Sequence, residues 1–492
     1  MRRSPNVTEL TPIPPEVTDY GHAMGTIVIA GGGMCGMAAA MMLADDGHDV
    51  TVLERDAAPP PPDVDSAFEG WDRRSVAQFG LAHFLTARGT AILREQLPTA
   101  YRLLSDNGGY HWNLVKFLLS LQPDAVPEPG DDRFDLLTGR RSTLEWALAT
   151  AANDHAGVTV RRGDAITGLT TGVEVIPGVP HVTGLRLQTG EEVLGDIMID
   201  ATGRRSPTPD WLADIGAVSP VDVAEDSGFA YYGRYFRSAD GSVPPTMGPI
   251  LSPYGTFSVL TLPADNGTWS VTLYALSDDK ELRRFRDPDV HERVVRACAL
   301  QAHWLDGEPI SEMKSMAGVV DRHRRFVVDG QPCATGLLSV GDASSSTNPS
   351  LGRGITFGFI HVELLRREIA LHADDPAALA LAFDQATENE MRPWHDATTA
   401  VDRRRVTEMR AELAGEPIEP DPASQIANLL AAAGARDAVC ARAFGELQGC
   451  ISLPSDVFAR PGLLDHVMSL AGSVSTEPPP GPSREALVEL LS

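Results

Sequence analysis

The sequence predicts an α/β fold: a doubly wound parallel sheet with a β-meander, a second unit built on an antiparallel sheet, and a helical C-terminal region. Three observations predict it. A β-branched apolar run from Thr26 to Ala30 leads through a glycine-rich turn into a helix-period stretch, then into a second strand that ends in an acid. Alternating segments such as FAYYGRYFR, TFSVLTLP and TWSVTLYAL follow from about Gly228, the pattern of an antiparallel sheet with one face available to cover a site. After Asp374 the chain turns alanine-rich and helical.

Composition bounds the function. At 492 residues the chain has room for two or three packed units. Its 67 acidic and 41 basic residues leave a net charge of −26, which repels phosphate backbones and anionic lipids, so no nucleic-acid partner is expected. Hydrophobic residues at 43% and charged residues at 22% are those of a globular protein rather than a disordered one. The cysteines Cys35, Cys298, Cys333, Cys440 and Cys450 are scattered and odd in number, without a C-x-x-C pair. They read as reduced, and no metal site is expected. The N-terminal lead, 1–24, has Arg2 and Arg3 but no apolar stretch behind them, and nothing later approaches the ~18 apolar residues of a membrane span. A cytoplasmic protein is expected.

The elements follow in order. Gly31 permits a tight turn after the first strand, Gly33 lets backbone approach a pyrophosphate, and Gly36 with Ala38 to Ala40 lets the helix pack closely on the sheet. The helix N-terminus offers unpaired N–H groups to phosphates. The second strand, DVTVL, ends in Glu54, 18 residues past Gly36 and followed by Arg55, near the roughly 20 of the dinucleotide fingerprint. Glu54 would take ribose hydroxyls. This Rossmann-like unit serves FAD and NAD alike, so both remain open at this point. Pro59 to Asp63 (PPPPD) opens an insertion, 59–134, of loop and helix. Arg141-Ser142-Thr143-Leu144-Glu145 heads an amphipathic helix, with Arg140 as a competing cation. Val158 to Asp200 holds three strand-like runs that suit a β-meander, and IMIDATGRRS closes them. Residues 211–330 make the antiparallel substrate domain. The strand Gly336 to Val340 then runs into Gly341-Asp342-Ala343, and Asn348 to Gly354 opens a helix reaching about Ala370. These return the chain to the first domain, 25–210 with 331–373, and 374–492 forms the helical C-terminal region.

This combination of motifs, in this order from Ile27 to Ala370, resembles the para-hydroxybenzoate-hydroxylase-like superfamily of FAD-dependent monooxygenases. The resemblance implies FAD as cofactor. Gly31, Gly33 and Gly36 would hold its pyrophosphate, Glu54 and the adjacent Arg55 its adenosine end, and Arg141 the region of its phosphates. Asp342 would bind the ribityl chain, and Pro349, Leu351, Gly352, Arg353 and Gly354 would line the isoalloxazine. The implied reaction moves one oxygen atom from a flavin C4a-hydroperoxide, formed with O₂, to an electron-rich small organic substrate by epoxidation or hydroxylation, plausibly in specialised metabolism.

Thr202 departs from the superfamily pattern, standing where hydroxylases place the aspartate of an A-D-G-x-x-S motif tied to FAD and NADPH. Electrons would therefore come from NADPH or NADH, directly or through a separate flavin reductase. The DATGRRS form and the segment from Arg74 to Pro98 resemble the flavin-dependent epoxidase-like branch. DATGRRS is shared with tryptophan halogenases, but those carry W-x-W-x-I-P and an early catalytic lysine, and this chain has no lysine before Lys116. His83, Arg74 and Tyr232 are the expected substrate-side catalytic residues. A flavin-dependent halogenase, a prenyl-type reductase and a non-enzymatic binding protein on the same fold remain alternatives.

Overall fold

The computed structural model describes residues 25–492 apart from Ser75, Ala77, Glu477 and Pro478, so the N-terminal lead lies outside the described residues. The strand Thr26–Ala30 pairs in parallel with Asp49–Glu54 on one side and with Ile197–Asp200 on the other. Val158–Arg162 and Leu337–Ser339 complete a five-stranded parallel sheet. Both faces are covered, which is why these strands read as continuous apolar runs. Ile27, Ile29, Val50 and Val52 pack against the helices Met34–Asp45, Arg141–Asn153 and Gly354–His372. Val28, Ala30 and Leu53 face the antiparallel meander of Ile166–Thr171, Val182–Leu187 and Glu192–Leu194.

The strand-like runs between Val158 and Asp200 are thus split. The first and third each give one strand to the parallel sheet and one to the meander.

The second sheet centres on Phe229–Arg237 and Thr268–Leu276, which pair along nine residues, with Phe257–Pro263 and Leu251–Tyr254 beyond. Tyr231 and Tyr274 share one face. Tyr232, Val259, Val271 and Leu273 share the other, against Phe285, Val290, Val294 and Trp304. The two sheet units are locked by Arg140, 1% exposed, whose backbone N–H and guanidinium both donate to Asp265 (2.6 Å each) while the guanidinium lies 4.4 Å over the Phe68 ring. Removing one partner alone from a buried, bidentate pair of this kind costs about 3–5 kcal/mol.

The helical C-terminal region does not stay together as one cap. Arg392–Ala414 runs along the second sheet and packs Met409 on Phe229 and Tyr274. Pro422–Ala433 and Ala438–Gln448 pack on each other, and Ala441 reaches Val115 and Phe134. The last helix, Arg484–Leu490, returns to the far side of the second sheet, where Leu487 joins Phe285 and Val294. Among the described residues, no helix is long and apolar enough to cross a membrane.

Candidate active site

One cavity of about 2390 Å³ runs from the glycine turn of the first domain to the inner face of the second sheet and on to the C-terminal helices. Ordinary small-molecule pockets occupy roughly 300–1,000 Å³. This one has room for a dinucleotide and a substrate together.

At its first end lies the N-terminus of helix Met34–Asp45. No side chain caps that helix and no acid sits in its first turn, so its N–H groups and dipole are left to an anion. Gly31 has φ +102°, and a Cβ there would press on the Ala201 carbonyl; a Cβ at Gly36 would overlap the Gly31 carbonyl. Both glycines are demanded by the turn itself. Gly33 differs: a Cβ there would meet nothing within 4 Å, which leaves an open cradle in the cavity wall. The donor set therefore fits a pyrophosphate.

Glu54, 3% exposed, accepts from the Gly32 N–H (3.0 Å), the Asp56 N–H (2.8 Å) and Arg73 (3.1 Å). A carboxylate has about four lone-pair sites, so one acceptor position is left for a hydroxyl. Arg73 also lies 3.4 Å from Glu145, which pairs with Arg141. The result is a buried row of alternating charge, Glu54, Arg73, Glu145, Arg141, of which all but Glu145 line the cavity. Arg55 is an exposed residue at the same rim. Arg141 lines the cavity, whereas Arg140 is committed to Asp265.

Asp200 holds the IMIDATGRRS turn. Its carboxylate accepts from the Thr202 N–H and hydroxyl and from the hydroxyls of Ser206 and Thr208. Thr202 is thereby spent on the turn, and Arg204, two residues on, reaches across to Asp342 (3.0 Å) and to the Thr347 carbonyl (2.5 Å). Asp342 is partly exposed in the cavity. Pro349, Leu351, Gly352, Arg353 and Gly354 line it next. Gly352 has φ +65°, and a Cβ there would lie 3.1 Å from Phe84, so this loop packs on the segment that carries His83. The Arg353 side chain turns away to Thr398 and the Leu447 carbonyl, which leaves backbone as that residue's contribution to the wall.

The three expected catalytic side chains fall in three different settings. His83 lines the cavity, but both ring nitrogens are engaged. Nδ1–H donates to the Leu81 carbonyl (2.9 Å), and Nε2 accepts from Arg141 (3.1 Å), a tautomer assigned from these partners. Burial, reinforced by Arg141, pushes its pKa down to about 3, so it stays neutral and holds Arg141 rather than exchanging protons. Arg74 stands at the rim with its side chain 86% exposed and paired with Asp72; its neighbour Arg73 is the buried one. Tyr232 faces away from the cavity and meets Phe285 edge-on at 6.1 Å.

The inner face carries Tyr231 and Tyr274 instead. The Tyr231 hydroxyl donates to Asn348 Oδ1 (2.8 Å), and Asn348 in turn donates from its amide to Asp402 (3.1 Å) and from its backbone to Asp321 (2.5 Å). Of these partners the sequence marks Asn348, at the head of its loop, and Tyr231, in the strand FAYYGRYFR, but neither Asp321 nor Asp402. Tyr231 and Tyr232 are adjacent in one strand and so face opposite ways; the sequence alone puts both tyrosines on a face that could line a pocket and does not separate them.

No family model matches the chain. Protein Rv3254 of Mycobacterium tuberculosis is 26% identical over 400 residues, 76% of this chain and 79% of its own. Among solved structures, PqsL of Pseudomonas aeruginosa, described as a probable FAD-dependent monooxygenase, superposes with a TM-score of 0.56 at 16% identity over 80% of this chain and 99% of its own. PqsL has also been solved in complex with 2-aminobenzoylacetate. The flavin-dependent brominase Bmp2 gives a TM-score of 0.57 at 15% identity, over 92% of this chain and all of its own. The chain has the fold shared by FAD-dependent monooxygenases and flavin-dependent halogenases.

Proposed function

We propose that this protein is an FAD-dependent monooxygenase that transfers one oxygen atom from O₂ to an electron-rich small molecule, by epoxidation or hydroxylation. The observation that carries the reading is the continuity of the cavity, from an uncapped helix N-terminus and open Gly33 cradle to a predominantly apolar chamber under the second sheet. In this reading Gly31, Gly33 and Gly36 approach the pyrophosphate, Arg141 and the helix dipole offset its charge, Glu54 takes a ribose hydroxyl and Asp342 a ribityl hydroxyl. Backbone from Pro349 to Gly354 faces the isoalloxazine.

Reduced flavin supplies the activation of O₂, and the protein's share is to orient substrate and exclude water. Leu260, Leu262 and Tyr274 give the apolar wall for that exclusion. Tyr231, fixed by Asn348, fixes one edge of the chamber. Electrons come from NADPH or NADH, directly or through a separate flavin reductase; Thr202, which stands where the aspartate of the NADPH-linked motif would be, donates to Asp200.

The test is to purify the protein, read bound FAD from its visible spectrum, and mix it anaerobically with NADPH and, separately, NADH. A yellow protein supports the cofactor, and rapid bleaching by either nucleotide identifies a self-sufficient enzyme. A flavin that stays oxidised until a flavin reductase is added identifies the two-component form. A colourless protein that FAD does not reconstitute overturns the reading in favour of a binding protein on this fold.

A further inference from the structure

The helix Ala438–Gln448 begins at Asp437, whose side chain caps it: Oδ1 accepts from the Cys440 N–H at 2.9 Å. A residue at the third helical position lies over the N-cap, so the Cys440 thiol stands beside the same carboxylate. Oδ2 is left over from the cap, and 3.0 Å from it stands Nε2 of His466, on the helix Leu463–Ser469. One carboxylate oxygen, one sulfur and one imidazole nitrogen thus lie within 4.8 Å of one another. The pattern Asp-x-x-Cys with a histidine 26 residues further on holds no C-x-x-C pair to mark it in the sequence. Only the packing of two helices assembles it.

An ordinary ion pair does not account for this group. The His466 Nε2 atom is buried and makes no hydrogen bond, although Oδ2 is so near. The two atoms stand side by side rather than in line. Ligands of one ion stand in this way: at bonds of about 2.0–2.1 Å to a tetrahedral zinc, two such atoms lie about 3.3 Å apart, each well off the other's lone-pair axis. A thiolate at about 2.3 Å lies about 3.6 Å from both, so closing the set asks the Cys440 side chain to move by about 1 Å. The adjacent Arg436 is turned to the Ser473 carbonyl (2.5 Å). Cys440 is fully buried among Leu430, Val457 and Val467, while 39% of the His466 side chain meets solvent and gives an ion its way in. Thiolate, imidazole and carboxylate are a zinc donor set. One thiolate and one carboxylate also cancel the charge of a divalent ion, so the loaded site brings no net charge to that apolar cluster.

We propose that Asp437, Cys440 and His466 bind one Zn²⁺, with water at the fourth position. On binding, the Cys440 S–H bond breaks, its electron pair forms the sulfur–zinc bond, and the proton leaves to solvent; no oxidation state changes. The ion ties Ala438–Gln448 to Leu463–Ser469. Both helices pack on Pro422–Ala433, whose Ala423, Ala427 and Ala431 line the cavity, so the metal braces that wall. The inference is independent of the cofactor reading.

The test uses the full untagged chain as purified, dialysed against a chelator and titrated with Co²⁺, whose tetrahedral d–d bands lie in the red, beyond flavin absorption. Wild type takes up one Co²⁺ per chain with those bands and a sulfur-to-metal charge-transfer band in the difference spectrum, and Zn²⁺ bleaches both. Cys440→Ser loses the charge-transfer band. His466→Ala, a change at a part-exposed side chain, keeps the circular dichroism of wild type and binds Co²⁺ about tenfold or more weakly. Should Cys440→Ser fail to fold, His466→Ala decides alone. A wild type without these bands, Co²⁺ bound without the sulfur band, or a His466→Ala protein of wild-type affinity overturns the proposal.

Discussion

Replacing Gly33 with alanine separates a ligand cradle from a turn that is merely structural. Gly33 caps the first helix with φ −80° and ψ −174°, extended backbone that alanine adopts freely, and an added Cβ meets no protein atom within 4 Å. The cost to the fold is the small loss of N-cap preference, about 1 kcal/mol at most. A chain of this length unfolding as a unit has an unfolding entropy of about 1 kcal/mol per degree, so the melting midpoint of the cofactor-free protein moves by about 1 °C. FAD is affected differently, because the methyl enters the space that the pyrophosphate needs. Overpacking of a close contact costs about 1–3 kcal/mol, and the dissociation constant rises about 5- to 150-fold. Gly36→Ala is the counterpart: its Cβ overlaps the Gly31 carbonyl, so stability falls before binding is asked about. The assay is FAD titration by quenching of its fluorescence, beside thermal melts of the cofactor-free proteins. If Gly33→Ala binds FAD as tightly as wild type, or destabilises as much as Gly36→Ala, the assignment of the cradle to this turn is wrong.

Three further outcomes are expected. Asp342→Ala removes the Arg204 partner at 3.0 Å and, with it, a hydroxyl acceptor worth about 10- to 100-fold in FAD affinity; a yellow variant with unchanged affinity removes Asp342 from the ribityl site. Tyr231→Phe leaves Asn348 Oδ1 without its donor and lowers stability by about 1–3 kcal/mol with a change in the flavin spectrum, whereas Tyr232→Phe, on the far face, leaves that spectrum alone; the reverse pattern refutes the face assignment. Asp402 binds its proton more tightly folded, at about 7 against an ordinary 3.8, so wild-type stability is greatest below pH 4 on this account and declines as pH rises to 7, by about 4 kcal/mol in all. Asp402→Asn cancels that slope, and its melting midpoint gains about 3 °C on wild type between pH 5 and pH 8; parallel curves would show that the carboxyl titrates as it does unfolded.

The parts of the site that could be read from the sequence are those built by contiguous chain. Strand, glycine turn, helix and terminal acid occupy Thr26 to Glu54 without interruption, and Gly31 and Gly36 there answer local demands of backbone geometry. The loop from Asn348 to Gly354 was legible for the same reason. The side chains facing the substrate were not. Every residue of Phe229–Arg237 except Arg234 and Arg237 is buried, because the sheet is covered on both faces, so hydropathy could not say whether Tyr231 or Tyr232 looked inward. Arg73 and Arg74 are adjacent and chemically identical; only the packing of Arg73 between Glu54 and Glu145 distinguishes them. Asp402 lies in a run of charged residues, TTAVDRRRV, that reads as a solvated helix face. Its burial comes from Asn348 and Ser350, more than fifty residues earlier.

The two ends of the cavity divide the electrostatic work. A protein of net charge −26 repels an anionic dinucleotide at long range, yet Arg55, Arg141, Arg204 and Arg205 gather on the cavity wall toward the glycine turn. Two of these four cations are already matched, Arg141 by Glu145 and Arg204 by Asp342. On the proposed reading, a pyrophosphate would compete with carboxylates for donors that are already oriented, and would gain the helix N-terminus that no side chain contests. Under the second sheet the wall combines Leu260, Leu262 and Tyr274 with charged side chains of the helix Arg392–Ala414: Asp402, Arg404, Arg405 and Glu408. Arg405 pairs with Glu408 and donates to the Gly255 and Phe257 carbonyls, so its charge is held by the sheet edge before any ligand arrives.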